Sequence, residues 1–359
     1  MVFAACNASR IQETNTVNSS SHQLIEMDVE FAETFEVESI DSGYLVRLID
    51  PNSHETEREI TLSYDLSTEG DDVVHLPLKN IVNLSQTTVG MMAIIDQIDL
   101  IVGISGEQYL HNAELIEKSK NGSVKSFGDE SDLPVESIIA ANAQLVLYSG
   151  FSKVLPGSDK LEKVGIRSIP IYDWRETHPL GKAEWIKFIG IICGQEQEAV
   201  DFFETVKKEY ENLKWRASKV NSKPTVLSGN LLGDVWYSPA GQSYMATMLR
   251  DAGGEYVYKN SQGTGSTENS IEQIIIDNES TNFWLNPGID NKPKLVELNP
   301  KAPFIGPFND GLYCYSSNMN EYWERSAAEP HLVLEDLIRI LQPDLLEKGE
   351  FHFYRKLEE

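Results

Sequence analysis

The amino-acid sequence predicts an α/β fold of two lobes with mainly parallel sheets, joined by one long rigid helix and preceded by a β-hairpin element. Short apolar runs alternate with amphipathic helical patterns on both sides of a nearly unbroken helical stretch, which is typical of parallel sheets covered by helices. The pattern VESIIAAN at 135–142 also recurs as IEQIIIDN at 271–278, before a predicted strand in each half. This repetition indicates two similar, Rossmann-like lobes with a cleft between them.

The length and charge of the chain narrow the class of protein. Its 359 residues, 41% of them hydrophobic, can bury a substantial core, and this length favours two lobes over one. No apolar run approaches the roughly 18 residues of a membrane-spanning helix. A formal net charge of -26, without a cluster of Lys or Arg, repels phosphate backbones. We therefore expect no nucleic-acid partner.

Residues 1–23 are expected to form a flexible tether. Cys6 follows small residues and precedes a tail rich in Ser, Thr and Asn, a pattern that resembles the processing site of exported bacterial lipoproteins. We expect the charged and apolar regions of the signal peptide to lie upstream of Met1. Cys6 is therefore the candidate lipidation site, with an unmodified thiol in a disordered tail as the alternative. Cys193 and Cys314 lie in apolar contexts and are expected to be buried.

Residues 24–78 predict an accessory β element. Apolar and polar residues alternate in 35–50, on both sides of a turn at 41–43, and alternate again in 58–66. This period of two favours a hairpin or a small meander.

The strand and helix patterns place an N-terminal α/β lobe at 79–181 and a C-terminal lobe at 223–359. Strands in the first lobe are predicted within 81–85, 100–105, 123–128, 144–150 and 166–173, and helices at 134–143 and 158–164. Strands in the second lobe are predicted within 225–230 and 282–286, and helices at 244–251, 270–278 and 331–341.

Residues 182–222 are predicted to join the lobes. The part before Gly194 is apolar enough to pack on the first lobe, and Gly194 is a natural helix stop. From Glu196 to Lys219, apolar residues recur at alternating spacings of four and three, which places them in one stripe along a helix of roughly 36 Å. We expect this helix to act as a stiff strut that disfavours large hinge closure.

The candidate ligand site consists of aromatic and arginine side chains in predicted loops. In open α/β sheets, the loops after the carboxyl ends of the strands form the ligand crevice. Aromatic rings with a few arginines suit a large, flat or chelated ligand that carries negative charge. The candidates are Trp174, Arg175, Trp236, Tyr237, Tyr244, Tyr322, Trp323 and Arg325. Packing on a lobe surface is the alternative for each ring, and it is our assignment for Trp185, Trp215 and Trp284.

Signatures of an enzyme are not found in the sequence. It contains no GxSxG motif, no P-loop and no GxGxxG after a predicted strand. Its seven histidines are scattered, which disfavours a site for a bare zinc or manganese ion. We therefore expect a binding protein without catalytic residues, metal site or cofactor.

Three stretches resemble one family of binding proteins. HPLGKAEWIKFIG (178–190), GDVWYSPAGQSYMATMLRDAGGEY (233–256) and EYWERSAAEPHLVLEDLIRILQP (321–343) are similar to a lipoprotein branch of the periplasmic substrate-binding proteins that deliver ferric siderophores, haem or cobalamin to ABC importers. The resemblance covers most of 79–346. It implies a monomer, held in the periplasm by a lipid anchor, that binds its ligand without catalysis and works with an ABC permease and its ATPase.

The resemblance also implies a docking surface. In that family each lobe presents a glutamate to arginines of the permease, and by position these are Glu136 and Glu272, which the internal repeat places equivalently. Two solvated glutamates on amphipathic helices are the alternative.

The identity of the ligand stays open at the level of sequence. An anionic ferric siderophore, our first hypothesis, would use Arg175 and Arg325, whereas a corrinoid would use wide aromatic walls. An enzyme acting on a metal chelate and a glycan-binding surface module are further alternatives.

Overall fold

A four-stranded sheet forms the accessory element in a computed structural model, which describes residues 24–315 and 321–358. Its strands are β1 (Phe35–Ile40), β2 (Gly43–Ile49), β3 (Thr56–Ser63) and β4 (Val73–His75). β1, β2 and β3 pair antiparallel, and β4 pairs parallel with β3. The predicted hairpin is thus β1–β2, extended into a sheet whose inner residues, such as Tyr44 and Leu62, are buried. Cys6 lies outside the described residues.

The N-terminal lobe is built on a five-stranded sheet. Its strands are β5 (Ile81–Asn83), β6 (Ile101–Ile104), β7 (Lys125–Ser126), β8 (Leu145–Tyr148) and β9 (Arg167–Pro170). Its helices are α1 (Gln86–Ile94), α2 (Ala113–Lys120), α3 (Val135–Ala140) and α4 (Ser158–Glu162). The strands lie in the order β7-β6-β5-β8-β9 and all pair parallel. Each predicted strand segment contains one of these strands, so the prediction for this sheet is confirmed.

Two consecutive helices link the lobes, α5 (Pro179–Cys193) and α6 (Glu196–Ser218). Gly194 ends α5 with a left-handed φ of 68°, a conformation that glycine adopts without steric cost. α5 begins before the expected boundary at 182 because Pro179 takes the first helical turn, where its missing N–H costs nothing. The buried residues of α6, among them Phe203 and Tyr210, form the predicted apolar stripe.

The C-terminal lobe contains two sheets. The larger consists of β10 (Thr225–Ser228), β13 (Glu255–Tyr256), β15 (Phe283–Leu285), β16 (Leu312–Tyr315) and β17 (Tyr354–Lys356). Its order is β13-β10-β15-β16-β17, and only the last pair is antiparallel. The smaller, antiparallel sheet consists of β11 (Asn230–Leu232), β12 (Val235–Pro239) and β14 (Ser266–Ser270). The helices are α7 (Tyr244–Asp251), α8 (Ile271–Asp277), α9 (Lys292–Leu298), α10 (Tyr322–Arg325) and α11 (Pro330–Leu341).

The smaller sheet was not predicted from the sequence. Its outer strand β14 reads Ser-Thr-Glu-Asn-Ser and carries no apolar residue, so no hydrophobic alternation marks it as a strand. The sheet follows β10 directly and lies at the carboxyl end of that strand. It therefore belongs to the region where a ligand crevice is expected.

The main hydrophobic core is continuous between the lobes. Ile81 of the N-terminal sheet, Phe188 of α5 and Leu337 of α11 belong to one buried cluster. Two smaller clusters are centred on residues such as Trp284 in the C-terminal lobe and Val146 in the N-terminal lobe. The linking helices are thus packed against both lobes. Among the helices of the described residues, none combines the length and apolar character needed to cross a membrane.

The packing assignments made from the sequence hold with one exception. Trp185 and Trp284 are fully buried, and the thiols of Cys193 and Cys314 are buried as well. The assignment of Trp215 to packing is wrong, because 60% of this residue is exposed on α6. Its ring is covered only in part, with the Lys219 ammonium 5.1 Å from the ring centroid.

Candidate ligand-binding site

A cavity of about 620 Å³ opens at the carboxyl ends of the parallel strands of the C-terminal lobe. Its wall includes Ser228 at the end of β10, Asn230 just beyond it, Asn286 after β15, and Tyr315 at the end of β16. This is where open parallel sheets bind ligands, and the volume suits a small-molecule ligand. A second cavity of about 300 Å³ is bounded by 290–293 and 355–358, and none of these described residues is aromatic. The first cavity is therefore the candidate binding site.

Three aromatic residues contribute to the apolar part of the cavity wall, beside Pro239, Met245 and Ile289. Tyr315, Tyr237 and Trp323 all line it. The Tyr315 ring meets the Trp323 ring edge-on at 5.7 Å, and Trp323 remains 41% exposed. The exposed indole face is available for stacking on a flat ligand.

The polar part of the wall is rich in amide and hydroxyl groups. Asn286 adopts a left-handed φ of 61° immediately after β15, a conformation that Asn tolerates better than most residues. Its Nδ2 donates to Ser228 Oγ at 3.5 Å. Among the wall residues that the structure describes, Lys294 and Asp290 are the charged ones, one of each sign. The cavity therefore offers hydrogen bonds without a strong net charge.

The cavity lies on the side of the C-terminal lobe that faces the N-terminal lobe. Glu324, next to Trp323, accepts a hydrogen bond from the backbone N–H of His111 at 2.6 Å. Tyr244 precedes Met245, which lines the cavity. The ammonium of Lys182, in α5, lies 5.4 Å from the centroid of the Tyr244 ring. The described residues that line the cavity all belong to the C-terminal lobe, so the binding of a ligand between the lobes stays a prediction.

Tyr237 and Trp323 are the predicted site residues that line this cavity. The prediction that Trp236 contacts a ligand is wrong, because its ring is fully buried and lies 5.2 Å from the ring of Trp284. Successive residues of a strand point to opposite faces, so β12 turns Trp236 into the core and Tyr237 into the cavity.

Tyr322 packs against the cavity-lining Tyr315 and does not itself line the cavity. Only 4% of this residue is exposed, and its ring stacks on that of Tyr315 at 3.6 Å. The expectation that Tyr322 contacts a ligand is therefore wrong, because the short helix α10 directs it inward. Tyr244 begins α7 and is half-buried, and burial raises the pKa of its hydroxyl.

Both predicted arginines are paired with carboxylates of the protein. Arg175 Nη2 lies 3.0 Å from Asp50 and its Nη1 lies 3.0 Å from Glu57. Contrary to expectation, these groups of the accessory element already satisfy its guanidinium.

Arg325 is held in the same way. It donates to Glu329 with two nitrogens and to Glu321 with a third. Three hydrogen bonds to two carboxylates leave little of its charge for an anionic ligand. The expectation that Arg325 binds such a ligand is therefore not met in this structure.

Trp174 lies in the N-terminal lobe, at the carboxyl end of β9. Its Nε1 donates to the Ser149 carbonyl at 2.8 Å, and 43% of the residue is exposed. Phe151, which the sequence analysis missed, packs against it at 4.7 Å and is 73% exposed. Because both follow strands of the parallel sheet, they form an apolar surface where the crevice is expected on this lobe.

The two predicted docking glutamates occupy equivalent positions. Glu136 and Glu272 both lie in the first turn of a short helix, α3 and α8, and both are exposed. Their surroundings differ, because the Lys301 ammonium lies 2.8 Å from Glu272 and lowers the pKa of that carboxyl. Lys301 also lies 3.0 Å from Asp234.

Several residues of the cavity wall were not singled out from the sequence. Asn230, Asn286 and Tyr315 each stand at or just after the carboxyl end of a strand. The same rule that selected Trp174 would have found them. Asn230 and Asn286 are neither aromatic nor basic, and Tyr315 ends a strand, β16, that the sequence pattern does not predict.

Comparison with protein-family models matches residues 81–300 to the family described as periplasmic binding protein. This segment is more than half of the chain. An uncharacterized lipoprotein of Methanocaldococcus jannaschii is 26% identical over 298 residues, which are 79% of this chain and 70% of that protein.

Two solved structures illustrate the similarity of fold. A periplasmic heme binding protein from Pseudomonas aeruginosa superposes with a TM-score of 0.61 and 14% identity, covering 78% of this chain and 98% of that one. The TroA-like periplasmic binding protein FepB from Veillonella parvula gives a TM-score of 0.55 with 15% identity, covering 79% of this chain and 96% of that one.

Proposed function

Because this chain belongs to the periplasmic binding proteins, we propose that it captures a metal chelate, in the first place an iron complex, between its lobes and delivers it to an ABC permease and its ATPase. The observation that carries the proposal is the cavity at the carboxyl ends of β10, β15 and β16, with the exposed Trp323 ring at its wall. Solved relatives of the same fold include a protein named as heme binding.

The charge of the site bears on which chelate is bound. A multiply anionic siderophore complex needs cationic partners, yet Arg175 and Arg325 are each paired with two carboxylates. The cavity wall instead provides Asn and Ser side chains and aromatic rings. These groups favour a chelate with little net charge, such as a neutral hydroxamate-type iron complex.

A corrinoid is the second candidate, and the same observation favours it. Its planar ring would stack on Trp323, and its peripheral amides would exchange hydrogen bonds with groups such as Asn230 and Asn286. Titrating the protein with a neutral ferric hydroxamate, a trianionic ferric catecholate, haem and cyanocobalamin separates the candidates. Selective binding of the catecholate would contradict the argument from charge.

The remaining parts of the proposal concern the partner and the membrane. Glu136 and Glu272 dock on the permease, and a lipid on Cys6 holds the protein at the cell envelope. The exposure of both glutamates in equivalent helical turns supports the first assignment. The relatives named as lipoproteins support the second. Mass spectrometry of the protein from a membrane fraction tests for the lipid.

A further inference from the structure

We infer that Glu324 is a positioning residue: by binding the N-terminal lobe, its carboxylate fixes the neighbouring Trp323 ring at the cavity of the C-terminal lobe. The inference concerns the contact between the lobes, and its ligand-binding consequence rests on the proposed function. We call the contact of Glu324 with His111, Asn112 and Gly90 the interlobe latch.

The carboxylate of Glu324 crosses the boundary between the lobes. Its Oε1 accepts the backbone N–H of His111 at 2.6 Å and that of Asn112 at 3.2 Å. Asn112 caps the N-terminus of α2, where the helix dipole favours a negative charge. Only 4% of Glu324 is exposed. Burying a carboxylate costs desolvation free energy, and hydrogen bonds from donors such as these two N–H groups offset that cost. The Glu324 side chain therefore joins the two lobes. Its partners in the N-terminal lobe are backbone N–H groups, whose positions do not depend on the rotamer of a side chain.

A close backbone contact between α10 and α1 places Glu324 at the boundary between the lobes. α10 packs against α1 of the N-terminal lobe, and a Cβ added at Gly90 would lie 1.6 Å from the Glu324 carbonyl oxygen. Only glycine leaves room for that approach. The two lobes thus meet backbone to backbone directly beside Trp323, at a second place besides the linking helices.

The opposite side of α10 is held by the C-terminal lobe. The Tyr322 ring stacks on Tyr315 and meets Phe353 edge-on at 5.6 Å. Trp323 stands between Tyr322 and Glu324 in the chain, so each neighbour anchors it to a different lobe. Its indole ring consequently takes its place at the cavity only while the lobes remain in contact. Any force that separates the lobes breaks the latch and frees Trp323, which would weaken the hold on a ligand.

The position of Trp323 can be measured without a ligand. The protein contains six tryptophans, and labelling with 5-fluorotryptophan gives each a ¹⁹F resonance, with that of Trp323 assigned through Trp323→Phe. We expect Glu324→Ala to shift this resonance and to increase its sensitivity to a soluble paramagnetic agent, while the resonance of buried Trp284 stays in place. Glu324→Gln should preserve the wild-type resonance, because one carbonyl oxygen can accept both N–H groups.

Glu321→Ala serves as the matched control, since it removes a carboxylate from the N-cap of α10 without touching the two N–H groups. Should the alanine variant of Glu324 fail to fold, Glu324→Asp keeps the charge and shortens the side chain, and the same shift is expected. An unchanged Trp323 resonance in a folded Glu324→Ala or Glu324→Asp variant overturns the inference. So does a shift of equal size in Glu321→Ala.

The ligand arm uses the two candidates of the proposed function, a neutral ferric hydroxamate and cyanocobalamin, as probes in a double-mutant cycle. Glu324→Ala should weaken binding of the accepted probe about tenfold, and this loss should vanish in a Trp323→Ala background, because the carboxylate acts through the ring. Additive losses overturn the inference. If neither probe binds while the ¹⁹F resonance moves as expected, the choice of ligand in the proposed function fails and the latch stands.

Discussion

Trp236 and Tyr237 are neighbours in β12, yet the Trp236 ring packs against Trp284 in the core and the Tyr237 ring lines the cavity. Replacing each by alanine should therefore have opposite consequences. Trp236→Ala leaves a void in the core and should cost about 3–5 kcal/mol of stability. Tyr237→Ala should leave the free energy of unfolding within about 1 kcal/mol of wild type.

Urea denaturation measures the stability of both variants, and calorimetry with an accepted chelate measures their affinity. Tyr237→Ala should weaken binding by roughly tenfold, because the loss of a stacked ring amounts to about 1.4 kcal/mol with its buried area. A Trp236→Ala protein as stable as wild type would show that the ring does not belong to the core.

Arg175 is predicted to stabilise the folded protein and not to bind the ligand. Its guanidinium joins Asp50 and Glu57 to the end of the N-terminal lobe, and the side chain is 15% exposed. Arg175→Ala should cost about 1–3 kcal/mol of stability, since it leaves two partly buried carboxylates without their partner. The affinity for a chelate, measured by calorimetry on the folded variant, should change less than twofold. A large loss of affinity for an anionic complex would return Arg175 to the binding site.

The docking glutamates are predicted to serve transport and not ligand capture. Glu136→Ala combined with Glu272→Ala should leave ligand affinity unchanged and reduce uptake by proteoliposomes that contain the permease and its ATPase. Glu198→Ala, an exposed glutamate on α6, is the control. If the double variant lost its ligand and kept transport, the face would be wrongly assigned. Lys301→Ala should enhance docking, because it frees the Glu272 carboxylate for the partner.

The buried carboxyl of Glu324 predicts a dependence of stability on pH. Burial, the largest cause, raises its pKa above the ordinary value of 4.5, assisted by Glu321 and opposed by the two backbone N–H groups and by His111. The folded protein therefore binds this proton at a higher pH than the unfolded chain. Acidification from pH 7 towards 4.5 should stabilise wild type relative to Glu324→Gln, which has no proton to gain.

Chemical denaturation of both proteins at pH 7 and pH 5 tests this sign. The two proteins differ only at residue 324, so the difference between their unfolding free energies reports on the carboxyl of Glu324. A difference in unfolding free energy that is constant with pH, or that moves in favour of Glu324→Gln on acidification, contradicts the assignment.

Local periodicity allowed most of the fold to be predicted from the sequence. The apolar stripe of α6 and the short runs that became β5 and β8 are properties of neighbouring residues, and they place each element without knowledge of the rest. The strand β14 could not be found in this way, because it has no apolar residue and its pairing with β12 rests on the backbone ladder.

The candidate site was predicted less well for a related reason. The partners of Arg175 lie 118 and 125 residues away in the chain, so its neutralisation depends on how the accessory sheet packs on the lobe. The direction of Trp236 depended on a strand that the sequence did not reveal. The sequence predicts which kinds of side chain form the site. Only the fold decides which of these side chains face the cavity.

Calorimetric titration of wild type and Trp323→Ala with a neutral ferric hydroxamate, a trianionic ferric catecholate, haem and cyanocobalamin tests the central claim most directly. The account predicts that wild type binds at least one of these chelates with a micromolar or lower Kd, and that the folded Trp323→Ala protein binds it about tenfold more weakly. Failure of wild type to bind any of the four, or undiminished binding by the tryptophan variant, would contradict the proposal that this cavity captures a metal chelate.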